Sequence, residues 1–184
     1  FWQARAAVGM STKDPEAARG ELERSLPWLR EGERDEATFA LAGAHRALQE
    51  VDEAERLLQE VVAESSAPGP AMRELGLHYL EVDRAADASR TLVDAISTLE
   101  RAAASPGEVA ETLRILARAR TLEGRHEDAL EASRRVLGIC RTRFGDRHWR
   151  TFEAQSDFAQ TLVGLGDLPQ AESILRSVQQ TMFA

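Results

Sequence analysis

Lysine is almost absent from this chain: Lys13 is the one lysine, and every other basic residue is arginine. Cysteine is as scarce. A lone Cys140 cannot close an internal disulfide, which fits a reducing compartment. No apolar run approaches the roughly 20 residues that a membrane-spanning helix needs. No signal peptide is visible either, so a cytoplasmic chain with no membrane partner is expected. The net charge of −8 argues against a generic nucleic-acid binder, which is usually basic, so nucleic acid is an unlikely partner. An initiator methionine is missing too. The chain opens Phe1-Trp2-Gln3, which points to a processed chain or a piece of a larger protein.

The usual chemical groupings are also lacking. The histidines His45, His78, His126 and His148 stand 33, 48 and 22 residues apart, with no metal-ligand spacing among them. His126-Glu127-Asp128-Ala129-Leu130 is not His-Glu-x-x-His. No Gly-x-Ser-x-Gly turn is present, and Gly164-Leu165-Gly166 is not followed by the Lys-Ser/Thr of a phosphate loop. Cys140 reads as a small buried hydrophobe late in an amphipathic helix. The carboxylates Glu21, Glu23, Glu31, Glu33, Asp35 and Glu36 read as a solvated face. The sequence therefore predicts no catalytic residue, no metal and no cofactor, and a protein that is not an enzyme.

What is present is helix former and repetition. Ala, Leu, Glu and Arg dominate. Four segments share a turn, then a polar residue, then an alanine opening an apolar stripe: Ala54, Ala88, Ala129 and Ala171, spaced 34, 41 and 42 residues apart. Ala18 with Leu22 reads as a degenerate earlier copy. The stripe continues four and seven residues on, at Leu58 and Val61, Leu92 and Ala95, Ser133 and Val136, and Leu175 and Val178, positions that share one helix face. A second small residue, Ala42, Gly76, Ala117 or Ala159, stands 12 before each key alanine. Small side chains at both places let two antiparallel helices cross closely. Helices are predicted near 2–9, 15–26, 35–49, 51–65, 70–82, 84–104, 107–123, 126–142, 148–164 and 168–182. Pro68, Pro70 and Pro106 stop the preceding helices, and Asp167 caps the last one.

Leu75-Gly76-x-x-Tyr79 followed by Ala88, Leu92 and Ala95 resembles the tetratricopeptide repeat family. The last copies are similar to its longer variety of about 42 residues, found in kinesin light chains and bacterial signalling proteins. The segment Phe144-Gly145-Asp146-Arg147-His148-Trp149 carries that likeness, with Trp149 where proline is usual. The resemblance implies an all-α fold, a right-handed superhelical array of antiparallel helix pairs with about nine or ten helices. It further implies one domain over 1–184, with a partial repeat at 1–34 and repeats at 35–68, 69–109, 110–151 and 152–184. In that family the first helix of each pair lines a concave groove that receives a peptide or protein. The matching positions here are Phe39, Gly43 and Arg46; Arg73, Leu77 and Leu80; Arg114, Arg118 and Thr121; and Ser156, Gln160 and Val163.

Charge adds a direction. Residues 113–150 hold ten Arg against five acidic residues, whereas 1–112 hold 12 basic and 22 acidic. Arg114 and Arg118, four apart on one face, are expected to draw an acidic peptide into the groove. The sequence thus predicts a protein-interaction scaffold, a regulatory or sensor segment of a larger bacterial signalling protein. Two alternatives stay open. One is self-association into a homo-oligomer through the chain ends, with Met182 and Phe183 at the last helix. The other is a nucleic-acid-binding array using the arginines of 113–150.

Overall fold

The computed structural model describes residues 13–182. Its described residues form helices and no strands. We number the α-helices in chain order: α1 (Pro15–Ser25), α2 (Glu31–Ala47), α3 (Val51–Glu64), α4 (Pro68–Glu81), α5 (Ala85–Arg101), α6 (Pro106–Leu122), α7 (His126–Phe144), α8 (Trp149–Gly164) and α9 (Leu168–Met182). A short 3-10 turn, Leu26–Trp28, follows α1. Each helix packs on the next within two compact units, one ending at Asp83 and the other beginning at Arg84. The helix expected near 2–9 and the side chains of Met182 and Phe183 lie outside the described residues.

The repeat arithmetic has a backbone cause. Each turn inside a helix pair has one residue in the left-handed region: Gln49 (φ 64°), Asp83 (φ 58°), Gly124 (φ 74°) and Gly166 (φ 80°). Each stands five residues before its key alanine. The left-handed residue lets the next amide bond back to the carbonyl five residues earlier. Glu50 N donates to His45 O at 2.9 Å, Arg125 N to Arg120 O at 2.8 Å and Asp167 N to Leu162 O at 3.0 Å. The chain then re-enters a helix, and the key alanine falls at a buried position. Ala54, Ala88 and Ala129 are 0% exposed and Ala171 is 2%.

Side chains set several boundaries. The Ser105 hydroxyl accepts from Glu108 N at 3.3 Å while Glu108 Oε2 accepts from Ser105 N at 2.9 Å, a reciprocal cap that starts α6. Asp167 Oδ1 accepts from Gln170 N at 3.2 Å, as expected from its place before Pro169. Two helices begin earlier than expected. α4 begins at Pro68 rather than 70, because a proline in the first turn gives up no amide that the helix needs. α2 begins at Glu31 rather than 35, with Glu33 Oε2 accepting from Arg30 N at 3.2 Å. The helix expected over 84–104 stops at Arg101, where Ala103 turns left-handed (φ 52°) and Ala104 N closes on Leu99 O at 2.9 Å.

The apolar stripes are the core. In the first unit Leu22, Ala37, Leu41 and Leu57 form a buried cluster, joined by Leu26 and Leu29. In the second, Leu92, Leu113, Val136 and Leu162 are buried, each worth about 1.5–3 kcal/mol relative to exposure. Ser133 breaks the apolar pattern, and its hydroxyl meets the Thr161 hydroxyl at 3.0 Å, so neither polar group is left unmatched. Leu175 departs from its counterparts. It is 45% exposed, on a helix whose main packing among the described residues is against α8.

Candidate functional site

The twelve predicted lining residues all lie on the first helices of their pairs. Phe39, Gly43 and Arg46 are on α2, and Arg73, Leu77 and Leu80 on α4; Arg114, Arg118 and Thr121 are on α6, and Ser156, Gln160 and Val163 on α8. Within the first unit, Phe39, Gly43 and Leu77 are half-buried. Leu80 is 3% exposed, so its side chain belongs to the core and not to an open face. Arg46 reaches from α2 to Glu81 on α4 at 2.8 Å, and Arg73 pairs with its neighbour Glu74 at 3.2 Å.

In the second unit the same device recurs with more charge. Arg114 on α6 meets two carboxylates on α8, Glu153 at 3.1 Å and Asp157 at 3.0 Å. Glu153 and Asp157 are four residues apart and therefore share a helix face. The three charged groups bind one first helix to the next. Burial pushes the Asp157 carboxyl above the usual aspartate range; Arg114 pulls it down, and the Glu153 charge pushes it up again. Arg114 is thus already satisfied within the chain. With Glu111 also acting on Asp157, this face has three carboxylates against Arg114 and Arg118.

What remains open on this face is narrower than the sequence suggests. Arg118 is exposed and has no carboxylate partner among the described residues. Gln160 is exposed, and Val163 is 48% exposed. Thr121 and Ser156 turn their hydroxyls back onto their own helices, Thr121 Oγ1 to Ala117 O at 2.9 Å and Ser156 Oγ to Phe152 O at 3.0 Å. The residues that sequence reading missed are Glu81, Glu153 and Asp157. The four-residue spacing of Glu153 and Asp157 was a usable signal, since it matches that of Arg114 and Arg118.

Among the described residues no three of His, Cys, Asp and Glu gather where they could hold a metal ion. Cys140 is buried, and burial raises its thiol, which keeps it protonated and a poor nucleophile. His45 is buried with Nδ1 at 2.5 Å from Glu50 Oε2, and Arg19 approaches the same carboxylate at 3.0 Å. That cluster lies at a turn and ties α1 to the α2–α3 pair. A crevice bounded by α5, α6 and α7, lined by Val93, Ile96, Leu116 and Arg135, holds about 140 Å³, below the size of ordinary small-molecule sites. No described helix is long and apolar enough to cross a membrane.

Comparison with known proteins agrees with this geometry. The sequence profile of the tetratricopeptide repeat family matches residues 108–180. No curated protein matches the chain. Among solved structures, the nearly identical tetratricopeptide-like repeats of a putative kinesin light chain from Podosopora anserina superpose with a TM-score of 0.82 at 21% identity, over 98% of this chain and 92% of that one. BtubC (BKLC) from P. vanneervenii gives 0.77 at 15% identity, over 92% and 73%. A MamA fragment from Desulfovibrio magneticus RS-1 gives 0.67 at 16% identity, over 97% and 94%. At these identities the likeness is one of fold.

Proposed function

We propose that this chain, whose residues 108–180 match the tetratricopeptide repeat family, is a protein-interaction scaffold that receives a segment of a partner protein along the face shared by α6 and α8. One observation carries the proposal. Arg114 holds the two first helices side by side through Glu153 and Asp157 and leaves Arg118, Gln160 and Val163 open one turn further on. A face of this kind offers hydrogen-bonding groups beside an apolar contact on a rigid support, which is what recognition of a peptide needs. The ligand it fits is of mixed charge. A purely acidic peptide would face Glu111, Glu153 and Asp157, and among the described residues of this face Arg118 alone is free to answer it.

The test is selection of binders from a random 12-residue peptide library. A selected peptide whose affinity falls about tenfold or more in Gln160→Lys or Arg118→Glu, and is unchanged in Arg134→Glu, supports the face. Binding indifferent to both face variants refutes it.

Self-association is the second reading, favoured by Leu168 and Leu175 of α9, both large, apolar and exposed. Light scattering over a range of concentrations decides it; a strict monomer removes it. The nucleic-acid reading is weakened, because Arg114, Arg125, Arg135 and Arg141 of the 113–150 stretch are each paired with a carboxylate.

A further inference from the structure

The arginine excess of residues 113–150 divides into cations that are answered within the chain and cations that are not. Arg114 meets Glu153 and Asp157, Arg125 meets Asp128, Arg135 meets Glu100 and Arg141 meets Asp146. Arg120 donates to the Asp128 carbonyl at 3.1 Å. Arg143, Arg147 and Arg150 are exposed and form no ion pair with any described residue. All three fall at the connection between α7 and α8.

Two of them, Arg143 and Arg150, stand on aromatic rings. The Phe144 ring stacks on His148, centroids 4.7 Å apart and planes 19° from parallel. His148 in turn lies 5.7 Å from the Trp149 ring. The Arg150 guanidinium sits 5.1 Å from the Phe144 centroid and 5.2 Å from that of Trp149, and Arg143 lies 5.6 Å from Phe144. Trp149, the first residue of α8, is 60% exposed. A guanidinium held against rings loses less freedom when it then grips a carboxylate, and its edge donors still face solvent. An open indole beside it supplies apolar area at low conformational cost.

We propose that this ridge, Arg143 and Phe144 with Arg147 through Arg150, docks an acidic stretch of a partner protein. Carboxylates of the partner engage Arg143, Arg147 and Arg150, and an apolar side chain next to them covers Trp149. The charge pattern selects an acidic polypeptide over a nucleic acid. Three unanswered cations gather at this connection, with Arg118 and Arg134 standing apart on α6 and α7, whereas a nucleic-acid strand draws its affinity from many phosphates in succession. Beyond that turn a phosphate backbone would meet exposed Glu153 on α8, in a chain of net charge −8. The ridge uses neither Arg118 nor Gln160, so it is separate from the α6–α8 face.

The test is fluorescence anisotropy with three labelled probes: a 12-residue Asp/Glu peptide with a central leucine, its Asn/Gln counterpart, and a 12-nucleotide single-stranded DNA. The acidic peptide is expected to bind best. Its affinity should fall about tenfold or more in the double variant Arg147→Glu/Arg150→Glu and a few-fold in Trp149→Ala. It should weaken as salt is raised and stay within about twofold in Arg118→Glu. Should the double reversal disturb folding, as read by circular dichroism, Arg150→Gln removes one charge at nearly constant size and is expected to weaken binding about threefold. The proposal is overturned if the charge variants leave acidic-peptide binding unchanged, if Trp149→Ala does so, if the Asn/Gln peptide binds equally well, or if the DNA binds more tightly.

Discussion

Arg114 and Asp157 stand 3.0 Å apart on the first helices of successive pairs, each partly exposed, and Glu153 completes the contact from the next turn of α8. The contact carries a pH signature. Asp157 binds its proton more tightly in the folded chain than in the unfolded one, because burial and Glu153 outweigh the pull of Arg114. A raised carboxylate pKa means that the contribution of Asp157 to stability is greatest at low pH and is lost as pH rises through its folded value. Arg114→Ala is expected to push Asp157 further up and to destabilise the fold by up to about 1 kcal/mol at neutral pH, with little effect well below the usual aspartate range. Carbon-detected NMR titration of Asp157, with thermal melts at several pH values, checks both. An unmoved Asp157 in the variant would contradict the geometry.

The left-handed turns give a second prediction. Gln49 adopts φ 64°, where a side chain costs roughly 1–2 kcal/mol, whereas Gly124 fills the equivalent place at φ 74°. Gln49→Gly is expected to stabilise the chain by about 1 kcal/mol. Gly124→Ala is expected to destabilise it by a similar amount, and by backbone strain alone, since a Cβ there meets nothing within 4 Å. Chemical denaturation with unchanged slopes reads both effects.

One register position is occupied by leucine in two very different settings. Leu92 and Leu175 each follow a key alanine by four residues, yet the first is 0% and the second 45% exposed. Leu92→Ala should cost about 2–5 kcal/mol by transfer and cavity together. Leu175→Ala should cost less than about 1 kcal/mol, because much of its surface never leaves water. Equal losses in denaturant midpoints would show that α9 is covered in solution, which would support self-association.

The comparison of sequence with structure follows the range of the forces involved. The helix pairs, the crossings at Ala54, Ala129 and Ala171, and the cap at Asp167 were legible in the sequence, because helix periodicity and capping act over a few residues; the cap at Ser105 was not, since Ser105-Pro106-Gly107 reads there only as a helix stop. Gly124 and Gly166 announce their turns; Gln49 does not, since nothing in its side chain asks for a positive φ, and Asp83 is only a weak signal, since aspartate tolerates the left-handed region without requiring it. Of the candidate lining residues, Arg118, Gln160 and Val163 proved open, whereas Leu80 went to the core. Arg46 and Arg114 went to ion pairs with carboxylates 35 and 39 residues away. A count of charge along the chain located the arginine-rich stretch but could not say which cations were answered. The sequence by itself determined the repeating helix pairs, because apolar spacing and small crossing residues act locally. Only the tertiary structure decided which arginines remain free, because ion pairing depends on which helix faces are brought within a few ångströms of each other.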